Sequence, residues 1–440
     1  MYTLFPAHGI GGAQDLPIPA SYAITGSGIA LAASFVILIL AWRRPRLDAS
    51  KGRRLPTWLA IALDSRWAEG AARTLGMIAF GYFVWALVAG PDLASNPVFG
   101  IVYVFVWVGL VPVSLLFGPA WKAISPLRTV YAGITALGGP ALRGGLIPLP
   151  RFAGYWPATI GLFAFAWLEL AAPNSTYITP IRGWFTVYVV TLVLGAVIFG
   201  ERWFERADPF EAYSTLIGQL SPLGRDADGN RIWQWPLNHL DGLDASPSRV
   251  AVVAVLLGST AYDSFSRSPT WARITQTTVI DATVLGTLVL LAFCVFVGVT
   301  FTAGTIATAV GPGLRRAQLP ALFAHSVAPI IVGYVVAHYM TLLLEYGQQV
   351  LIQLSDPMLN GSNLLGTADW TPVYFLSSQP TTIAVIKVLA VVTGHVLGVI
   401  AAHDRAVKLL PRTHQVTGQL GLLVVMITYT VGGLYLLFSG

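Results

Sequence analysis

Long, continuously apolar runs separated by short polar segments make up most of the chain. A helix needs about 20 mostly apolar residues to cross a bilayer. Runs of that kind lie at 20–42, 72–89, 98–116, 155–170, 183–198, 249–262, 279–301, 321–345, 382–401 and 418–437. Apolar residues follow one another within each run, whereas strands of a membrane barrel would alternate over about ten residues. The pattern therefore predicts an all-α fold: a polytopic transmembrane helix bundle of about ten spans, one integral membrane domain over 1–440. Run 249–262 is the shortest and passes into the polar stretch Gly258-Ser259-Thr260-Ala261-Tyr262-Asp263-Ser264, so a re-entrant half-helix is the alternative there.

Composition agrees with a membrane domain. Residues of the AVILMFWYC set are 55% and charged residues 10% of the chain, against about 25% charged in soluble domains. The net charge of +6 does not point to nucleic acid, because the cations sit at the ends of apolar runs; the bilayer is the expected partner. Cys294 is the single cysteine, so no disulfide forms within the chain. The first twenty residues have no basic and apolar leader pattern, so the first span is expected to direct insertion itself.

Lys and Arg alternate by loop. Arg43, Arg44, Arg46, Lys51, Arg53, Arg54 and Arg66 follow the first span. Lys122, Arg128, Arg143 and Arg151, then Arg202, Arg206, Arg225 and Arg231, then Arg315 and Arg316, then Arg405, Lys408 and Arg412 occupy loops of the same parity. The opposite loops hold Arg182, Arg267 and Arg273. Positive charge is retained on the cytoplasmic side, which places the 199–248 loop in the cytoplasm and both termini outside. A re-entrant sixth segment would put Arg315, Arg316, Arg405 and Lys408 outside, so the positive-inside rule disfavours it.

A tandem repeat is expected over 75–137 and 160–220. Phe117-Gly118 before Trp121 matches Phe199-Gly200 before Trp203, and Ser125-Pro126-Leu127 matches Asp208-Pro209-Phe210. The tails that begin at Pro126 and Pro209 carry apolar residues at helical spacing and read as interfacial helices. Asp226-Ala227-Asp228-Gly229-Asn230 reads as a solvated turn, since a calcium loop would need a glutamate at its twelfth position.

No phosphate-cradling loop, His-Glu-x-x-His motif or Gly-x-Ser-x-Gly elbow occurs. The candidate chemistry lies in ionisable groups at membrane depth, which are costly in lipid and functional by default. His338, Glu345 and Gln349 are spaced for one helix face. Lys387 needs a counter-ion, with Glu345 the first choice and Asp281 and Asp263 next. The outer-half group Asp263, Asp281, His338, Glu345 and Lys387 is therefore the candidate catalytic site. Hydroxyls of Ser259, Thr260, Tyr262, Ser264 and Ser266 are available to line it. A buried network that fixes helix register is the competing reading. His325 and His338 are 13 residues apart, but a haem site would need a second such pair, and only His395 is available on the next span. Glu169 reads as an interfacial residue. His8 and Asp15 lie in an N-terminal segment able to fold over the outer mouth. His8 and His338 are the candidate ligands should the cofactor be a divalent metal.

The runs His8-Gly9-Ile10-Gly11-Gly12 through Asp15-Leu16-Pro17, Phe165-Ala166-Trp167-Leu168-Glu169 and Leu257-Gly258-Ser259-Thr260-Ala261-Tyr262-Asp263 resemble a bacterial multi-pass membrane family labelled fenitrothion hydrolase. The resemblance implies a cytoplasmic-membrane protein that hydrolyses an organophosphate-type ester; it carries no catalytic residues onto these positions. Three functions follow as expectations: a membrane-embedded hydrolase of small apolar esters, a small-solute transporter linked to protons through His338 and Glu345, or an assembly subunit of a membrane complex.

Overall fold

The computed structural model describes residues 11–139, 144–242, 245–308, 310 and 313–439. Each apolar run carries a helix. In chain order these are α1 (Ala20–Ala41), α2 (Thr57–Leu63), α3 (Arg66–Ala89), α4 (Pro97–Phe117), α5 (Ala120–Ile124), α6 (Pro126–Gly138), α7 (Trp156–Leu170) and α8 (Ile178–Phe199). They continue as α9 (Arg202–Ala207), α10 (Pro209–Gly218), α11 (Pro247–Ser266), α12 (Pro269–Thr277), α13 (Ala282–Ile306), α14 (Arg316–Gln353), α15 (Pro380–Leu409) and α16 (Thr417–Phe438). Among the described residues eight helices are long and apolar enough to cross a membrane: α1, α3, α4, α8, α13, α14, α15 and α16. This set marks an integral membrane protein built as an all-α bundle.

The two remaining runs fall outside that set for different reasons. α7 has only 15 residues, and α11, with 20, ends in the polar stretch that holds Asp263 and Ser264. α11 is nonetheless one unbroken helix, about 30 Å long at 1.5 Å per residue. Local chemistry sets the helix starts. Proline stands in the first turn of α4, α6, α10, α11, α12 and α15, where its missing N–H costs nothing. Asn96, Ser125, Asp208, Ser268 and Asp281 cap the N–H groups that follow them. Large apolar side chains stay exposed along the long helices, as in Leu288, Val295 and Val299 of α13, the surface a lipid phase requires.

The chain divides into two compact units. The first comprises Ser50–Pro236 and Tyr346–Pro372. Its core is α10, in which every residue but Thr215 is buried. Phe210 and Tyr213 pack on Phe165 of α7 and Trp107 of α4. α10 is thus an internal helix, not the interfacial one its amphipathic pattern suggests. α6 fits that pattern better, burying Leu127, Tyr131 and Thr135 and exposing Leu137. Helices α3–α6 and α7–α10 follow the same order, but the two tryptophans of the expected repeat differ in partner. The Trp121 indole donates to Asp208, and that of Trp203 to the carbonyl of Thr191 on its own helix hairpin. A small antiparallel sheet completes this unit, with β1 (Arg53–Arg54) and β2 (Leu223–Arg225) on either side of β3 (Arg231–Trp233). The β2–β3 turn is the acidic run 226–230, closed by Asp226 N–H to Asn230 and by Gly229 in the left-handed region.

The second unit contains residues 11–49, Leu237–Glu345 and Val373–Gly440. Small residues bring its helices to backbone contact. A Cβ on Gly333 of α14 would stand 2.4 Å from the Ala390 carbonyl of α15. One on Gly258 of α11 would stand 2.6 Å from Cα of Cys294 on α13. Such approaches replace the hydrophobic drive that is missing between helices in lipid.

Candidate functional site

Asp263, near the end of α11, is 1% exposed and collects three donors. Arg267, one turn on, donates Nε to Oδ1 at 3.2 Å, its side chain 30% exposed. From α14, Tyr339 donates its hydroxyl to Oδ2 at 2.7 Å, and Nε2 of His338 lies 2.9 Å from the same oxygen. Nδ1 of His338 lies 3.2 Å from Ser264 Oγ, which lies 2.7 Å from the Tyr334 hydroxyl. Tyr334 and His338 are four residues apart and share a helix face, so both reach the Asp263-Ser264 pair of α11. Asp263, Ser264, Tyr334, His338 and Tyr339 are all buried.

A carboxylate fixes the tautomer of a neutral imidazole by taking its N–H. With Nε2–H given to Asp263, Nδ1 accepts from Ser264. The result is an ordered line of proton-carrying groups: Tyr334, Ser264, His338, Asp263 and, at the half-exposed end, Arg267. The same order is hydroxyl, base and orienting acid, the template of an activated nucleophile.

The other expected members go elsewhere. Lys387 is 2% exposed, and its ammonium donates to the Gly11 carbonyl at 3.0 Å. Its opposing charge is Asp15, whose Oδ2 takes the Gly12 N–H at 2.7 Å. Gly11 adopts φ +85°, and a Cβ there would stand 2.9 Å from Ile383 Cγ2, so the Gly11–Asp15 turn lies directly on α15. Glu345 does not pair with Lys387. It is fully buried and accepts from the backbone of Leu376 and Ser377 at 2.7 and 2.9 Å and from the Ser377 hydroxyl. The cause is a π-helical turn at Leu342–Tyr346, whose extra residue shifts the helix phase between His338 and Glu345. Asp281 is exposed and caps α13 through the N–H groups of Thr283 and Val284; it does not join the centre. Lys387 does act electrostatically on His338.

Of the five hydroxyls expected to line the site, Ser264 alone bonds to a side chain of α14. Ser259, Thr260 and Ser266 bond back to α11 carbonyls, and the Tyr262 ring packs on Trp271 and Phe293. His395 bonds to Val391 and His325 sits beside the Leu322 carbonyl. Among the described residues no group of three or more His, Cys, Asp or Glu is placed to hold a metal, and His8 lies outside those residues. Sequence reasoning missed Tyr334, Tyr339 and Arg267; the spacings Tyr334–His338 and Asp263–Arg267, each one helical turn, were the available signal.

The first unit holds a second buried acidic centre that the sequence did not flag. Asp208 and Glu211, both buried, open α10. Glu211 is held by two nitrogens of Arg128 at 2.7 and 2.6 Å, and Arg128 also reaches Glu201 at 2.7 Å. Asp208 accepts from the Trp121 indole at 2.9 Å, the Tyr188 hydroxyl at 3.1 Å and the N–H groups of Phe210 and Glu211. Burial, and then the charge of Glu211, push its carboxyl up to about 7. Glu169 is half-buried in this unit and acts electrostatically on the buried Tyr103 and Tyr213. No protein-family model, curated protein or solved structure matches the chain.

Proposed function

We propose that this is a proton-linked carrier of a small solute in the bacterial cytoplasmic membrane, with ten spans, both termini outside, and Asp263–His338 as its proton-handling centre. The observation that carries the reading is the buried line Tyr334–Ser264–His338–Asp263–Arg267. Intramembrane acid–imidazole chains are the usual form of a proton relay. A proton arriving from the Tyr334 side passes from Ser264 Oγ to Nδ1 of His338 while Nε2–H is given up to Asp263, which releases it at the Arg267 end, so the imidazole is regenerated with its tautomer exchanged. In proteoliposomes under a valinomycin-set potential, the wild type should admit protons faster than empty vesicles. Asp263→Asn and His338→Gln should each lose most of that flux; wild-type flux in both would remove the centre from the mechanism.

The order Ser264–His338–Asp263 favours a second reading, ester hydrolysis, which is also what the resemblance to the fenitrothion hydrolase family implies. There Ser264 Oγ would attack the ester centre while its proton goes to His338 Nδ1; the ester bond to the leaving alcohol then breaks as His338 returns that proton to it, and a water attacking by the same route frees Ser264. Ser264→Ala separates the two: on the hydrolase reading the wild type cleaves an organophosphate ester and the variant does not, whereas on the carrier reading neither cleaves it and the variant loses most of its proton entry. The proposed orientation is tested by reporter fusions in the exposed turns at Gly229 and Gly361. The first should report cytoplasmic and the second external.

A further inference from the structure

At the end of α1 and the adjoining part of α15 lies an open cavity of about 380 Å³. Its polar wall is Trp42, Arg43, Arg44, His403, Arg412 and Gln415, and none of its lining residues is acidic. Basic loops in this chain are usually neutralised by their own carboxylates. Arg54 meets Asp226 and Asp228, Lys122 meets Glu205, Arg128 meets Glu201 and Glu211, and Arg225 and Arg231 share Asp64. Arg43, Arg44 and Arg412 form no ion pair among the described residues.

The nearest acid along α15, Asp404, is already engaged by neutral donors. Its Oδ1 takes the Trp42 indole at 2.8 Å and the N–H groups of Arg46 and Leu47 at 2.6 and 3.3 Å. These bonds also fix the floor. His403 is 3% exposed and bonds the Trp42 carbonyl at 3.0 Å and Gln419 at 3.0 Å, and the Arg46 guanidinium covers the Trp42 ring at 4.7 Å. Three guanidinium groups thus converge on a preformed cavity that supplies no counter-charge. Planar guanidinium forks match phosphate oxygens.

The remaining wall is Ile39, Val407 and Val416. This gives the cavity an apolar side where α1 leaves its apolar run and a basic side beyond it. Ligand pockets run from about 300 to 1,000 Å³, so the space is that of a headgroup rather than a bare ion. We infer that this cavity binds a phosphate-bearing anion, the headgroup of an anionic phospholipid, at the arginine-rich end of the bundle. The phosphate sits among Arg43, Arg44 and Arg412, and the glycerol lies against Ile39 and Val416. The inference is independent of the Asp263 centre.

The test is calorimetric titration of the full chain in a neutral detergent with three probes: short-chain phosphatidylglycerol, short-chain phosphatidylcholine and inorganic phosphate. Phosphatidylglycerol should bind saturably, more weakly as salt rises, and ahead of phosphatidylcholine. The combined variant Arg43→Gln, Arg44→Gln, Arg412→Gln should weaken it about tenfold or more. The matching triple-lysine variant keeps the charge without the fork and should bind between wild type and the glutamine variant, and an unfolding midpoint equal to wild type in both variants separates lost binding from misfolding. Inorganic phosphate competing as well as the lipid would support the anion site and assign it to a soluble phosphate. Equal binding of both lipids, unchanged in the glutamine variant, would overturn the proposal.

Discussion

Asp263 and Asp208 are both buried carboxylates, and the chain handles them in opposite ways. Asp263 is given an imidazole, a phenol and a guanidinium. Asp208 is given only neutral donors, an indole, a phenol and two backbone N–H groups, while Arg128 pairs with the neighbouring Glu211. The first arrangement holds a charge in place and connects it to groups that move protons. The second leaves a carboxyl whose charge is opposed by burial and by a like neighbour. Burial of an acid therefore says little by itself; the charge of its partners decides whether it anchors, relays or titrates.

The comparison can be broken most severely at Arg128. Arg128→Met leaves Glu211, 2% exposed, without its guanidinium. Stranding a buried charge costs about 3–5 kcal/mol, so a large fall in the unfolding midpoint in detergent is expected. A midpoint unchanged from wild type would show that Glu211 needs no cation.

Asp208 sharpens the contrast through pH. Its carboxyl stands at about 7 against an ordinary 3.8. The folded chain thus holds a proton that the unfolded chain has released, and the stabilisation is complete below pH about 4. It is lost as pH rises through about 7, with a slope on the order of 1 kcal/mol per pH unit between these limits. Asp208→Asn should remove that slope from the pH dependence of unfolding; an equal slope in the variant would assign it to other groups.

Asp281 supplies the smallest effect. As an exposed helix cap, its replacement by Ala should cost about 1 kcal/mol and leave proton flux in vesicles unchanged. A flux loss like that of Asp263→Asn would return Asp281 to the working centre.

Much of the fold was legible because lipid imposes a coarse rule: uninterrupted apolar runs become helices. His338 and Asp263 were legible for the same reason, as ionisable groups at depth. The Glu345–Lys387 pairing failed on two features that leave no side-chain trace. The π turn at Leu342–Tyr346 breaks the 3.6-residue phase on which face assignments rest. The partner that Lys387 takes is a backbone carbonyl, Gly11, and any residue carries one. Asp281 was misplaced because depth was weighed before capping, although an acid just before a helix start is a capping signal. The buried α10 and the more exposed α6 show similar apolar spacing, and what separates them is long-range packing: Phe210 and Tyr213 of α10 lie against Phe165 and Trp107, while Leu137 of α6 stays exposed.

The close approach of Gly258 to Cys294 makes the chain its own reporter. The only thiol is shielded where α11 and α13 touch backbone to backbone. A maleimide should leave the native protein unlabelled, and engineered cysteines can be introduced without first removing Cys294. Any condition that makes Cys294 reactive before global unfolding would signal that α11, with Asp263 and Ser264 on it, has parted from its neighbour.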